Sequence, residues 1–268
     1  MPTTPVPFTL IIVFISGLCF GSFLNVIVYR LPRRQSLAQP PSSCPGCRSR
    51  LSAIDLIPLF GFFLLRGRCR YCGVSISIRY PVIELLCGLL FLACACRFGI
   101  TLEALFYLTL LYIMLAIALI DYEHRIIPNS LVAAGLAAAL LLQAPMLLAY
   151  RFTVSDALLS GRTLSDSFYG FLAGGTLMLI VFLVSRGGMG AGDVKLMGMI
   201  GFYVGLGGTF LVMLFGFLFG ALVGVAGMIS GRLSRKDALP FAPYLAFATL
   251  VQVFWGEQIW LWYLNLLG

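Results

Sequence analysis

The chain has 268 residues, of which 60% are hydrophobic and only 10% are charged, and its mean hydropathy is +1.01. These values exclude an ordinary soluble domain, in which about a quarter of the residues carry a charge. They predict an all-α polytopic membrane protein. In a soluble protein the net charge of +8 would suggest nucleic acid. Here we expect contact with membrane lipid and no nucleic-acid partner.

The first apolar segment, 8–29, is too long for the hydrophobic region of a cleavable signal peptide. A basic cluster follows it, where a small-residue cleavage site would be needed. We therefore expect residues 1–29 to stay in the protein as the first transmembrane helix. Small residues at four-residue spacing, such as Gly17 and Gly21, predict close packing against another helix. Asn25 is predicted to make an interhelical hydrogen bond rather than to act in catalysis.

Further apolar segments divide the rest of the chain. The sequence predicts about eight transmembrane helices: 8–29, 81–96, 99–120, 130–150, 168–184, 194–206, 209–229 and 241–255. The count depends most on the short segment 194–206 and on the C-terminal residues 259–267. The predicted division is a first helix at 1–29, a cytoplasmic module at 30–80 and a transmembrane core at 81–268.

The basic residues predict the orientation of these helices. Nine arginines fall between 30 and 79, which places that polar loop in the cytoplasm. Alternation then puts 15 of the 18 basic residues inside and leaves only Arg97, Arg151 and Arg162 outside. In this topology both termini lie outside. Asp121, which ends the third segment, and Asp193, which precedes the sixth, reach the same membrane face.

Two Cys-x-x-Cys pairs lie in the polar loop, and together they supply the four cysteines Cys44, Cys47, Cys69 and Cys72. Each pair offers two thiolates to one ion, and two pairs complete a tetrahedral zinc site. A structural role is predicted because four thiolates leave no open coordination position. A module this small has little core, so the metal would supply much of its folding free energy. Two reducible disulfides are the alternative, which a cytoplasmic loop disfavours.

Four glycines within residues 187–192 precede Asp193. Glycine allows backbone angles that side chains forbid, so this loop is predicted to lie tightly against a substrate chain through Gly190 and Gly192. An ionisable side chain at the mouth of a membrane helix is a functional candidate, although an aspartate there also serves as a helix cap. Lys195 either tunes the acid or contacts lipid phosphate, and the lipid role is favoured. Asp156 and Asp166 are predicted to be solvated acids of an outer loop.

Two acids at one membrane face allow more than one function. A proton-coupled transporter is an alternative, because paired acids within membranes also carry protons. Against it, both acids lie at an interface rather than at the midplane, and no repeat relates the two halves of the chain. A binding or assembly protein, with a docking zinc module and structural acids, is a further alternative.

Four motifs occur in the order typical of type IV prepilin peptidases. They are GSFLN at 21–25, the paired Cys-x-x-Cys loop, Asp121 followed by IPN at 127–129, and GAGDVKL at 190–196. The chain therefore resembles this family over nearly its whole length. The family belongs to the membrane aspartyl proteases that carry a GxGD signature.

The resemblance implies a bifunctional enzyme of the bacterial inner membrane. Members cut the basic leader from type IV prepilins or type II secretion pseudopilins at the cytoplasmic face, after a glycine. Many then methylate the new N-terminal amine with S-adenosyl-L-methionine. The catalytic pair falls on Asp121 and Asp193, the zinc ligands fall on the four loop cysteines, and no residue is assigned to the methyl donor. One departure is Ala242, where the family has glycine in a Pro-Phe-Gly-Pro string.

Overall fold

The computed structural model describes residues 6–152, 164–185, 189–231 and 239–267. Within these ranges the chain is helical, and its β-structure is limited to two isolated bridges. The helices are α1 (Pro7–Arg30), α2 (Phe60–Leu64), α3 (Arg79–Phe98), α4 (Leu102–His124), α5 (Asn129–Phe152), α6 (Leu164–Val184), α7 (Ala191–Ile229) and α8 (Ala242–Leu267). Five of these described helices, α1, α3, α4, α6 and α7, are long and apolar enough to cross a membrane. The prediction of an all-α polytopic membrane protein is confirmed.

The chain forms two compact units, Met1–Ala104 and Leu105–Gly268. The first contains α1, the polar module and α3, and the second runs from α4 to α8. The sequence-based division grouped α3 with the core at 81–268, whereas α3 packs against α1 inside the first unit. Five basic residues used for the topology prediction, namely Arg162, Arg186, Arg232, Arg235 and Lys236, lie outside the described residues, as does Asp156.

Small residues bring α1 and α3 into backbone contact. A Cβ atom added to Gly17 would lie 2.8 Å from the Cα atom of Gly88, and one added to Gly21 would lie 2.6 Å from the Cα atom of Glu84. No larger side chain fits at either glycine without separating the helices. This packing explains why α3 belongs to the first unit.

Two buried polar side chains complete the contact within the first unit. The side-chain amide of Asn25 donates a hydrogen bond to the carbonyl oxygen of Tyr80 at 3.3 Å, which confirms the predicted interhelical bond. The carboxylate of Glu84 on α3 accepts a hydrogen bond from the backbone N–H of Leu59 at 2.8 Å. The polar module is thereby tied to the helix that follows it.

The 39 residues of α7 form two antiparallel arms that meet at Gly205. One continuous helix of this length would span about 58 Å, roughly twice the hydrocarbon core of a bilayer. A Cβ atom added to Gly174 on α6 would lie 2.6 Å from the carbonyl oxygen of Met197 and 3.3 Å from Cγ2 of Thr209. A continuous helix would hold residues 197 and 209 about 18 Å apart. The chain therefore turns back at Gly205, which confirms the two segments predicted at 194–206 and 209–229.

Asp166, in the first turn of α6, forms a hydrogen bond with the backbone at the point where α7 turns back. Its Oδ1 atom accepts a hydrogen bond from the backbone N–H of Leu206 at 3.1 Å. The prediction that Asp166 is a solvated loop acid is wrong. The backbone N–H after the break has no helical partner, and the carboxylate satisfies it.

Replacing Gly205 with alanine is expected to reduce the free energy of unfolding by about 2–5 kcal/mol. Gly205 has φ 71° and ψ −178°, a conformation that is essentially restricted to glycine, and a Cβ atom there would collide with Asp166. The midpoint of thermal unfolding in detergent measures the effect. Gly207→Ala is the matched control, because a Cβ atom at Gly207 meets nothing within 4 Å. Equal midpoints for the two variants would contradict the assignment of the turn.

Candidate active site and metal centre

The second unit brings two buried carboxylates together. Asp121 lies near the C-terminal end of α4, and Asp193 lies in the first turn of α7. Their exposed fractions are 6% and 7%. The two acids lie within electrostatic range of each other. The fold therefore brings two residues that are 72 positions apart in the sequence within electrostatic range.

A backbone amide at the N-terminus of α8 holds Asp121. The Oδ2 atom of Asp121 accepts a hydrogen bond from the N–H of Ala242 at 3.0 Å. Arg125, the residue after the end of α4, lies within electrostatic range of Asp121. The first N–H groups of a helix have no partner within the helix, so a buried carboxylate is well placed to accept from them.

Asp193 bonds within its own helix terminus. Its Oδ2 atom accepts a hydrogen bond from the N–H of Gly190, the N-cap residue, at 3.2 Å. Asp193 is therefore the third residue of α7, and its carboxylate caps the first turn from that position, whereas the N-cap position that the alternative gave to Asp193 belongs to Gly190. Burial beside a second acid is an additional property that capping does not require. Gly187 and Gly188, also part of the predicted glycine loop, lie outside the described residues.

The glycine motif packs against the segment that follows Asp121. A Cβ atom added to Gly192 would lie 2.9 Å from Cβ of Ile127, so glycine is needed for this approach. The Nζ atom of Lys195 donates a hydrogen bond to Oδ1 of Asn129 at 3.1 Å. Lys195 thus contacts a side chain at the start of α5. These two contacts connect the IPN and GAGDVKL motifs, which the sequence showed only as separate strings.

The four loop cysteines form one cluster in the first unit. The Sγ atoms of Cys44, Cys47, Cys69 and Cys72 all lie within 4.8 Å of one another. The Sγ atoms of Cys44 and Cys72 are 3.8 Å apart. Tetrahedral zinc ligands with Zn–S bonds of about 2.3 Å are separated by about 3.8 Å, whereas a disulfide requires about 2.05 Å. All eight cysteines are free thiols. The cluster fits a metal ion.

The two cysteine pairs share one backbone pattern. The N–H of Cys44 donates to the carbonyl oxygen of Ser49 at 3.0 Å, and the N–H of Cys69 donates to that of Val74 at 2.8 Å. In each case the residue after the second cysteine has a positive φ, 59° at Arg48 and 72° at Gly73. Two equivalent turns therefore present the four thiols to one point.

The pKa values of two of these thiols are shifted in opposite directions. Hydrogen bonds from Ser49 lower the pKa of Cys47 to about 6. At Cys72 a hydrogen bond from the Val74 amide lowers the pKa, but burial and the neighbouring thiols outweigh it and raise the pKa to about 12. Four adjacent thiolates repel one another, and a divalent cation removes that repulsion.

An ion pair stabilises the segment between the turns of the two cysteine pairs. Oδ1 of Asp55 lies 2.9 Å from Nε of Arg70, and Oδ2 accepts hydrogen bonds from the N–H and the hydroxyl group of Ser52. Burial would raise the pKa of Asp55, but the Ser52 donors and the Arg70 charge hold it below its usual value. Because Arg70 lies between Cys69 and Cys72, this pair ties the intervening chain to the second turn.

Sequence reasoning missed the donor to Asp121 and the Asp55–Arg70 pair. The only signal for the first was the string Pro-Phe-Ala-Pro at 240–243, which contains the donor residue Ala242. Nothing in the pattern of Asp55 and Arg70 indicated that they meet, because they are 15 residues apart in an irregular loop.

Comparison with known proteins identifies both units. A model described as the bacterial peptidase A24 N-terminal domain matches residues 15–98, and one described as the type IV leader peptidase family matches residues 108–225. The prepilin leader peptidase/N-methyltransferase of Bacillus subtilis (strain 168) is 35% identical over 259 residues, which are 95% of this chain and 98% of that protein. No solved structure matched the chain.

Two further relatives carry the same name. The protein from Pseudomonas putida is 34% identical, and the alignment covers 94% of this chain and 92% of the relative. The protein from Myxococcus xanthus (strain DK1622) is 39% identical over 84% of this chain and 64% of the relative. Neither the family models nor these names support the proton-coupled transporter. The two matched regions together cover most of the sequence, and the chain belongs to the type IV leader peptidase family.

Proposed function

We propose that this chain is a membrane aspartic endopeptidase that removes the basic leader from type IV prepilins or type II secretion pseudopilins. It then N-methylates the new N-terminal residue with S-adenosyl-L-methionine. The relatives named prepilin leader peptidase/N-methyltransferase, similar over nearly the whole chain, support both activities. The observation that carries the peptidase assignment is the pair of buried carboxylates, Asp121 and Asp193, within electrostatic range of each other.

Two adjacent buried carboxylates are poorly able to ionise together, so Asp121 and Asp193 share one proton. The ionised member takes a proton from a water molecule as the water oxygen bonds to the scissile carbonyl carbon. The protonated member donates a hydrogen bond to the carbonyl oxygen. When the C–N bond breaks, a proton passes to the leaving amine and the pair returns to its starting state.

The glycine segment before Asp193 is the proposed contact for the substrate backbone. Gly190 has no side chain to obstruct an extended chain beside the carboxylates, and Gly192 lets the segment pack closely against Ile127. Lys195, through its hydrogen bond to Asn129, holds this segment against the start of α5. Gly190, Gly192 and Lys195 are thus proposed to position the peptide bond rather than to react with it.

The proposed location is the bacterial inner membrane, with the aspartate pair at the cytoplasmic face. A prepilin held by its apolar helix leaves its basic leader at that face, next to the scissile bond. The positive-inside rule supports this orientation, since nine arginines lie between 30 and 79 and Arg125 follows Asp121. Membrane lipid surrounds both the enzyme and the substrate helix.

Zinc is the proposed metal of the thiol cluster. Cys44, Cys47, Cys69 and Cys72 would hold it, and four thiolate ligands favour zinc in a structural site. The ion would stabilise the fold of the module and leave no coordination position for a reactant. The methyl donor supplies an electrophilic methyl group to the new amine, and no residue of this chain is assigned to it.

Purified enzyme in lipid nanodiscs and a synthetic prepilin test both activities by mass spectrometry. We expect release of the intact leader, followed by the gain of one methyl group when S-adenosyl-L-methionine is added. A second prepilin with its leader-terminal glycine replaced by a bulky residue should stay uncut. Failure to release the leader from the first substrate would refute the peptidase assignment.

A further inference from the structure

We propose that the apolar segment 56–65 of the polar module inserts into the surface of the lipid bilayer, at the membrane end where α1 ends and α3 begins. Arg66 and Arg68, which follow the segment, bind the anionic headgroups of lipids there. The proposed peptidase mechanism makes no use of this segment. The inference concerns the first unit alone and does not depend on the aspartate pair.

The composition of the segment restricts its possible surroundings. Residues 56–65 read Leu-Ile-Pro-Leu-Phe-Gly-Phe-Phe-Leu-Leu, with no charged or hydrogen-bonding side chain, although they lie in a loop that contains nine arginines. A transmembrane helix needs about 20 apolar residues, so this segment is too short to cross the bilayer. An apolar stretch of such a length is typical either of a buried core helix or of a segment that lies in the membrane interface.

The structure excludes a role as the core of the module. Three large side chains of α2, those of Phe60, Phe63 and Leu64, have exposed fractions of 55%, 69% and 54%. The adjacent Phe62 faces the module instead, because its Cζ atom lies 3.1 Å from the position that a Cβ atom on Gly67 would occupy. Helix α2 therefore has an outward apolar face. A contiguous apolar surface of this kind marks a site of interaction with a partner or a membrane.

The position of Glu84 shows that the partner is the membrane. Its carboxylate accepts a hydrogen bond from the N–H of Leu59, the residue before α2, at 2.8 Å. Glu84 is the sixth residue of α3, about 7.5 Å along the helix axis from Arg79. Helical side chains tilt toward the helix N-terminus, so the carboxylate lies between these two levels. The start of α2 is therefore held beside the first turns of a membrane-spanning helix, where headgroups meet acyl chains.

The backbone at the start of α2 has partners within the protein. The N–H of Leu59 is bonded to the carboxylate just described. The N–H of Phe60 donates to the carbonyl oxygen of Pro58 at 2.6 Å, and that of Gly61 donates to the carbonyl oxygen of Ile57 at 2.9 Å. Apolar surroundings require such internal partners, because no water is present to supply them. The segment meets the condition that insertion imposes on its backbone.

Two exposed arginines lie beside the apolar face. The chain turns directly after α2, because the N–H of Gly67 donates to the carbonyl oxygen of Phe62 at 2.9 Å, so Arg66 and Arg68 stay close to the helix. A guanidinium group binds a phosphate through two parallel hydrogen bonds. Basic residues next to an apolar face are typical of segments that lie in a membrane surface. This combination favours lipid over a protein partner.

Photocrosslinking from position 63 in the full-length enzyme tests the insertion. Phe63 is replaced with p-benzoylphenylalanine, and the enzyme is irradiated in nanodiscs of phosphatidylcholine and phosphatidylglycerol, with and without a synthetic prepilin. Mass spectrometry of the digested protein should find one phospholipid attached at residue 63. The same replacement at Ile15, an exposed residue of α1, is the positive control. At Phe62, the matched control on the inner face of α2, we expect crosslinks within the module and no lipid adduct.

Three results would overturn the proposal. The first is the absence of a lipid adduct at position 63 when position 15 is labelled. The second is equal labelling by lipid at positions 62 and 63, because the outward face would then have no preference for the membrane. The third is a crosslink from position 63 to a second copy of the chain or to the prepilin in place of lipid. None of these results affects the peptidase assignment, which leader release by the unmodified enzyme tests separately.

The headgroup of the adduct tests the role of the arginines. We expect phosphatidylglycerol to be enriched about 2- to 5-fold over its share of the nanodisc lipid, because basic side chains near the surface attract anionic lipid. The double variant Arg66→Gln and Arg68→Gln should lose this enrichment and keep the total yield of adduct. The control pair Arg48→Gln and Arg50→Gln removes two exposed arginines elsewhere in the module and should keep the enrichment. Equal losses in both double variants, or no enrichment in their absence, would overturn the headgroup contact.

Discussion

Replacing either Asp121 or Asp193 with asparagine should lower leader cleavage at least about 100-fold. Asparagine cannot accept the proton of the attacking water or carry the proton that the pair shares. Each residue is therefore needed, and the double variant should be no worse than either single variant, because the two carboxyl groups act as one unit. Initial rates of leader release from a synthetic prepilin, measured by mass spectrometry, provide the test.

The asparagine variants should remain folded. The side-chain oxygen of asparagine still accepts the N–H of Ala242 at position 121 or the N–H of Gly190 at position 193. Membrane insertion and the thermal unfolding midpoint should therefore stay close to those of the wild type. Asp166→Asn is a matched control, since Asp166 lies outside the pair and asparagine can still accept the N–H of Leu206. Near-normal cleavage by either variant of the pair would remove that residue from the catalytic assignment.

Replacing Cys69 with serine should abolish metal binding and unfold the polar module. A serine hydroxyl is a much weaker zinc ligand than a thiolate, and structural zinc sites contribute about 10–16 kcal/mol of apparent binding free energy. The module has few other sources of stability, among them the Asp55–Arg70 pair and the bond between Glu84 and Leu59. Metal content per chain should fall from one zinc ion to nearly none.

Limited proteolysis reports the folding of the module in the same variant. We expect cleavage sites within 31–78 to become accessible, while α1 and α3 remain protected by their mutual packing. Cys19→Ser is the matched control, because Cys19 is an exposed thiol on α1 outside the cluster. The same substitution at the other three cluster cysteines should have the same effect. Unchanged metal content in all four variants would refute the zinc assignment.

Much of the architecture follows from local patterns in the sequence. Apolar segments of sufficient length predicted the helices, because a membrane requires each crossing segment to satisfy its own backbone hydrogen bonds. The separate segments on either side of Gly205 were recognised for the same reason. Each Cys-x-x-Cys pair is also a local feature, so the composition of the thiol cluster was predictable. The family motifs indicated Asp121 and Asp193 before any geometry was known.

Other features depend on contacts between residues that are distant in the chain. Asp166 was taken for a solvated acid because its partner, the N–H of Leu206, is 40 residues away and carries no side-chain signal. The division into two units depends on the close approach of α1 and α3, which hydropathy does not describe. Lys195 was assigned mainly to lipid, and only the folded chain shows Asn129 beside it.

The sequence by itself determined the number of apolar segments, the four thiols and the two acids, because these depend on residue type and short spacing. Only the tertiary structure decided the surroundings of the acids. The N–H group that holds Asp121 belongs to Ala242, the first residue of a helix that begins 121 residues later. Backbone donors are the same in every residue except proline, so no pattern of side chains reveals which of them a buried carboxylate will meet.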